Sequence, residues 1–161
     1  MSFFRSLLGC GKKTEYSTVD IRSVSISCGH MNYSYSYSFF LRRTENGWLL
    51  DADFAADTEQ AHTEYEACPI AEEDAKELLN IVQGQDTPGK LLRYKKPRIR
   101  VQAPDETVYY TSVLFADGKQ AAAPMRPCDD LETCFYRLAG KYAGTIPETN
   151  DAEASDKEES F

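Results

Sequence analysis

From Tyr33 to Leu41 the chain alternates with a strict period of two. Tyr33, Tyr35, Tyr37, Phe39 and Leu41 stand on one parity, and Ser34, Ser36, Ser38 and Phe40 on the other. That period predicts a β-strand with one face against a core and one toward water. Asn46-Gly47 follows, the strongest two-residue hairpin signal. With those two residues as the turn, Glu45 pairs with Trp48, Arg43 with Leu50, Leu41 with Ala52 and Phe39 with Phe54. Tyr37, Phe39, Leu41, Leu50, Ala52 and Phe54 then share a face, and Arg42 falls opposite Asp51 on the other. A three-residue loop would instead set Leu41 against Asp51 and Phe39 against Asp53, so the register that keeps apolar with apolar is preferred. A ladder of tyrosines invites comparison with a stacking platform for sugars or bases. In this register Tyr35, Tyr37 and Phe39 are core and the serine face is the wet one.

The same reading extends along the chain. Residues 19–28 form a strand with Val24, Ile26 and Cys28 on one face. "PIAEEDAKELLNIVQG" is a helix opened by Pro69 and the acids Glu72, Glu73 and Asp74. It is stopped at Gly84, with Ala71, Ala75, Leu78, Leu79 and Val82 as its apolar stripe. "DTPGK" reads as a loop and "LLRYKKPRIRVQAP" as a strand interrupted at Pro97, near an edge. "ETVYYTSVLFADGKQAAAP" is a second hairpin turning at Asp117-Gly118. "CDDLETCFYRLAGKY" is a helix capped by Asp129 or Asp130, with Leu131, Cys134, Phe135, Leu138 and Tyr142 inward and Gly140 or Gly144 at its end. The expected fold class is α+β: an antiparallel sheet built from two hairpins plus additional strands, with two helices packed on one face.

At 161 residues the chain holds one domain. Residues 18–144 form it, flanked by a flexible amphipathic segment, 1–17, and a disordered acidic tail, 145–161. The formal charge is −8, but Glu148, Asp151, Glu153, Asp156, Glu158 and Glu159 face only Lys157 in the tail, so the body carries −3. An acidic body argues against specific nucleic-acid binding, which needs a positive footprint. No apolar run reaches the ~18–20 residues that span a bilayer.

The opening "MSFFRSLLGCGKK" bears on compartment. Cys10 is placed as in a bacterial lipoprotein processing site, but Arg5 splits the nine residues before it into apolar pairs. An export signal needs roughly 7–15 continuous apolar residues. The expectation is a cytoplasmic protein with a free Cys10 thiol; lipid anchoring through Cys10 is the alternative if the true start lies upstream. Phe3, Phe4, Leu7 and Leu8 fall on one helical face. Burying them yields at most roughly 6–10 kcal/mol, and ordering their backbone costs about as much. Any membrane contact through them is weak and peripheral.

Five cysteines (Cys10, Cys28, Cys68, Cys128 and Cys134) show no framework spacing, so they read as reduced thiols, mostly small core residues. Cys28, His30, His62 and Cys68 are four soft ligands, but without C-x-x-C or H-x-x-x-H spacing they read as buried thiols and surface histidines rather than zinc ligands. Asp51 and Asp53 share a strand face with Arg42. On a solvent face they read as a solvated charge pair, not an acid–base dyad. No nucleophile elbow, phosphate loop or dinucleotide fingerprint occurs. No catalytic, cofactor-binding or metal-binding residue is therefore assigned, and no cofactor is expected.

One charge anomaly stands out. Lys90, Arg93, Lys95, Lys96, Arg98 and Arg100 crowd eleven residues of an acidic chain, a docking strip for an anionic partner or the charged guard of an edge strand. The acidic tail is opposite in sign and is expected to cover that strip loosely.

The serine-rich strand, the acid-opened helix "CPIAEEDAKELL" and the hairpin "LFADGKQAAAP" before a last helix resemble a group of small uncharacterised bacterial proteins, many of them lipoprotein-like. The resemblance spans residues 20–142 and implies no activity. The functional expectation is a non-enzymatic interaction domain with an unidentified protein partner. Alternatives are a surface lipoprotein with the same domain and a small acidic immunity-type inhibitor of a basic toxin.

Overall fold

A computed structural model describes residues 20–30, 35–55, 62–95 and 107–145. The elements run β1 (Ile21–Gly29), β2 (Tyr37–Thr44), β3 (Gly47–Phe54), β4 (Thr63–Ile70), α1 (Glu72–Gly84), α2 (Thr87–Leu92), β5 (Val108–Phe115), β6 (Gln120–Ala123) and α3 (Asp129–Ala143). The six strands form one sheet in the order β4-β3-β2-β1-β5-β6, and every neighbouring pair is antiparallel. The fold is α+β. Among the described residues no helix is long and apolar enough to cross a membrane.

The period-two segments bury one parity. Val24, Ile26 and Cys28 of β1, Tyr37, Phe39 and Leu41 of β2, and Leu50, Ala52 and Phe54 of β3 all lie in the core. They meet Ala75, Leu78, Leu79 and Val82 of α1 and Leu131, Cys134, Phe135 and Leu138 of α3 in a single cluster. Phe39 is its centre, stacked on Phe135 with ring centroids 5.4 Å apart and tilted against Phe54 at 5.7 Å. The other face carries Ser25, Ser27, Ser38, Phe40, Arg42, Asp51, Asp53 and Tyr110.

The first hairpin keeps the expected faces but not the expected partners. Leu41 is opposite Leu50, Phe39 opposite Ala52 and Thr44 opposite Gly47, so Glu45 and Asn46, not Asn46 and Gly47, occupy the turn. Thr44 explains the difference. Its hydroxyl accepts from Asn46 N at 3.3 Å and donates to Gly47 O at 3.0 Å, closing the turn one residue early. Gly47 absorbs the strain at φ +131, a value side chains resist. A slip of two residues leaves every side chain on its own face. Arg42 therefore reaches Asp51 on a diagonal, Nη2 to Oδ1 at 3.2 Å, while its direct partner is Leu49. The second hairpin turns as expected through Gly118 at φ +87.

Further expectations are corrected. Tyr35 precedes β2 and is 53% exposed, so the core ladder begins at Tyr37. Residues 63–70 are a strand, β4, and hold Pro69 and Ile70. Proline is admissible there because β4 is an edge and its nitrogen need not donate. Ala71 precedes α1 and is exposed, outside the apolar stripe. "DTPGK" opens a helix, not a loop, and Leu91 and Leu92 belong to that helix instead of a strand. Thr87, Pro88, Gly89 and Leu91 of α2 are buried, which makes α2 a third helix where two were expected. Cys128, not Asp129 or Asp130, precedes α3, without a side-chain cap. The two aspartates act instead as negative charge in its first turn.

Candidate functional site

Three chain segments bring aromatic hydroxyls to one place. Tyr37 opens β2, Tyr109 lies near the start of β5, and Tyr136 stands one turn after Glu132 on α3. Because β1 lies between β2 and β5, its end is flanked by both, and Cys28 faces Tyr37 on one side and Tyr109 on the other. Tyr35 and His30 approach from the two chain ends beyond the sheet, edge to face with centroids 5.7 Å apart. Ser36 ties those ends together, its Oγ accepting from His30 N at 3.0 Å. The result is a cleft of about 440 Å³ lined by Cys28, His30, Tyr35, Tyr37, Thr107, Tyr109, Glu132 and Tyr136.

Glu132 is the carboxylate of this lining. Tyr37 Oη donates to its Oε2 at 2.7 Å, which fixes the carboxylate and uses up the tyrosine's proton. Tyr136 stands edge-on to Tyr37 at 5.4 Å and to Phe39 at 5.1 Å, so its ring is braced by the core. Arg126 lays its guanidinium over the Tyr109 ring, 5.7 Å from the centroid, and its charge is met by Asp129 at 3.6 Å.

The thiol of Cys28 and the phenols of Tyr37, Tyr109 and Tyr136 hold their protons. Burial pushes the Cys28 thiol up, and the Glu132 charge adds to that. Burial raises Tyr37 far above the ordinary phenol range, reinforced by its hydrogen bond to Glu132. Burial raises Tyr109 and takes Tyr136 to about 12. At neutral pH the cleft therefore presents neutral phenols and a thiol around one carboxylate. A thiol is a poor nucleophile beside its thiolate, and upward shifts move the thiol and these three phenols away from the neutral range that acid–base catalysis prefers.

Comparison of the chain with protein-family models, curated proteins and solved structures returned no match. The site is read from its own chemistry.

The residues singled out in the sequence fall elsewhere, apart from Cys28, His30 and the ladder tyrosines Tyr35 and Tyr37. The four soft ligands separate. Cys68 is on β4 and Cys28 on β1, three strand spacings or about 14 Å apart across the sheet and four residues further along it, and among the described residues no three metal-ligating side chains converge. His62 is not a surface histidine: its side chain is 6% exposed and Nδ1 lies 2.7 Å from Asp53 Oδ1. Asp51 and Asp53 do lie on the open face, beside Glu64 and Glu66 in a shallow hollow. Both carboxylates are engaged there, Asp51 accepting from Arg42 and from Ala67 N at 2.6 Å, and Asp53 with His62. Of the basic strip, Lys90 is exposed on α2, Arg93 follows the helix and pairs with Asp86 at 3.1 Å, and Lys95 is exposed. Lys96, Arg98 and Arg100 lie outside the described residues. So do Phe3, Phe4, Leu7, Leu8 and Cys10, and all of the acidic tail but Thr145.

Tyr109, Glu132 and Tyr136 were not singled out by any sequence pattern. Tyr136 is displaced by one position from the apolar stripe of α3, and that displacement was the one available signal.

Proposed function

We propose that the protein is a non-enzymatic binding domain and that the tyrosine-lined cleft is its recognition site. The observation that carries this reading is the convergence of Tyr35, Tyr37, Tyr109 and Tyr136 from separate segments around a concave space of ligand size. Tyrosine combines large contact area with a polar tip at low entropy cost, which suits recognition surfaces. The raised thiol of Cys28 and phenols of Tyr37, Tyr109 and Tyr136 favour binding over turnover by these groups. The cytoplasm is the compartment this reading takes, supported by Cys28, Cys68 and Cys134 packing as separate buried thiols.

The test replaces Tyr109, which is only partly covered, with alanine and compares fragment binding by aromatic NMR. Fragments that shift the ring signals of Tyr37 and Tyr136 in the wild type should lose that effect in the variant, with the melting curve little changed. Hydrolysis of simple nitrophenyl esters or phosphates that disappears in Cys28→Ala or Glu132→Gln would overturn the non-enzymatic reading. Fragment binding that ignores the tyrosines would overturn the choice of site.

A further inference from the structure

We infer that the cleft takes a guanidinium group, seated against the ring of Tyr136 with its N–H groups directed at Glu132. The inference rests on the cleft being the recognition site, and it follows from counting donors and acceptors. Tyr37 gives its proton to Glu132 Oε2, and among the described residues that is the only hydrogen bond drawn to the Glu132 side chain. The carboxylate can accept more, since two oxygens offer about four lone-pair sites. Glu132, only partly covered by protein, therefore has room for further donors on the cleft side, and a cationic donor suits a carboxylate best.

The neighbouring charges leave that demand standing. Among the described residues Arg126 stands over the rim at Tyr109, and Asp129 answers its charge. Glu132 is tied to Tyr37 on the inner side of the cleft, whereas Arg126 stands over the Tyr109 ring at its rim. A cation is thus favoured on the side of Cys28, Tyr37 and Tyr136 and disfavoured beneath Arg126. An anion would meet Glu132 wherever it entered that inner side.

Shape selects among cations. A guanidinium is planar, stacks on aromatic faces and offers paired donors that match a carboxylate, whereas an ammonium is a compact, strongly hydrated point charge. Arg126 over Tyr109 shows the same stacking within this protein's own rim. The guanidinium can arrive on a small metabolite or on an arginine side chain of a partner chain. The shared chemistry is the same, and only what surrounds it differs.

The experiment titrates the full-length protein with ethylguanidinium, with acetyl-Gly-Arg-Gly-amide, and with the corresponding citrulline peptide as the neutral isostere. Methyl phosphate and acetate serve as anionic probes. Binding is read from the ring signals of Tyr37, Tyr109 and Tyr136. Ethylguanidinium and the arginine peptide should shift Tyr37 and Tyr136, with the citrulline peptide at least tenfold weaker. Glu132→Gln, which keeps an acceptor for Tyr37 but removes the charge, should weaken guanidinium binding at least fivefold with the fold intact. If the arginine peptide binds tenfold more tightly than ethylguanidinium, the source is a protein; equal affinities point to a small molecule. Binding of the citrulline or anionic probes in preference would keep the cleft as a recognition site and overturn the guanidinium assignment. If no probe moves the tyrosine signals, both the assignment and the site are wrong.

Discussion

Tyr142 and Asp74 pin the last helix to the first turn of α1. The Tyr142 hydroxyl donates to Asp74 Oδ2 at 2.6 Å and accepts from Ala71 N at 2.8 Å, just before α1 begins. Lys141 Nζ reaches the same Asp74 oxygen at 2.8 Å. Hydrogen bonds from Lys141 and then Tyr142 hold the Asp74 carboxyl below the ordinary carboxylate range. A depressed carboxylate stabilises the fold above its unfolded pKa, and the contribution fades as pH falls through the folded value. Asp74→Asn should therefore melt below the wild type at pH 6. The gap should shrink as pH drops below about 4. Thermal melts of both proteins from pH 3 to 7 check this, and a gap constant with pH would refute it.

Phe39 and Phe40 are neighbours on opposite faces of β2. Phe39 is fully buried and stacked on Phe135, while Phe40 is 37% exposed beside Arg42. Phe39→Ala should cost about 3–5 kcal/mol and Phe40→Ala no more than about 1 kcal/mol. Urea denaturation measures both, and the reverse order would mean that the sheet presents its other face to the helices.

Ala67 sits at φ 53 in β4, where the β3–β4 register shifts and its N–H reaches Asp51. A left-handed conformation costs a non-glycine residue about 1–2 kcal/mol, partly offset by the entropy a glycine loses on folding. Ala67→Gly should stabilise the protein by about 0.5 kcal/mol. A rise of a few degrees in melting temperature would agree; a fall would not.

Gly89 lies under the Asp86 side chain, and a Cβ there would overlap both carboxylate oxygens. Gly89→Ala should displace Asp86, break its pair with Arg93 and cost about 1–3 kcal/mol. If stability is instead unchanged, Asp86 swings aside freely and α2 does not depend on it. Hydrogen exchange of the Lys90 amide, which donates to Asp86 O at 3.0 Å, reports the local effect.

The legible parts of this fold were those in which one period runs unbroken. β2, β3 and β6 alternate throughout and β1 does so from Val24 onward, and α1 and α3 each carry an apolar stripe, so their faces could be read from the sequence. β4 could not, because the bulge at Ala67 changes parity between Tyr65 and Cys68, both of which are buried. α2 was hidden by Pro88 and Gly89, which signal a turn until burial under the neighbouring helices and strands decides otherwise. The cleft was the least legible feature. Tyr37 and Cys28 were read correctly as buried, but their roles as lining depend on β1 lying between β2 and β5. That placement is a long-range property which no local spacing encodes.

The central place of β1 has a consequence for how the protein is made. A ribosome delivers β1 through β4 as a run of strands that pair with their immediate predecessors. The second partner of β1 arrives only with Val108, which pairs back to Gly29 across most of the domain. Until then one rim of β1 holds unsatisfied N–H and C=O groups, the kind of edge on which chains join one another. Long-range pairing of this sort is slow, because loop closure must precede any reward. Pulse-labelled exchange during refolding should find the β2–β3 amides protected before those that join β1 to β5. The newborn chain's exposure to aggregation is then a matter of how long that seam stays open.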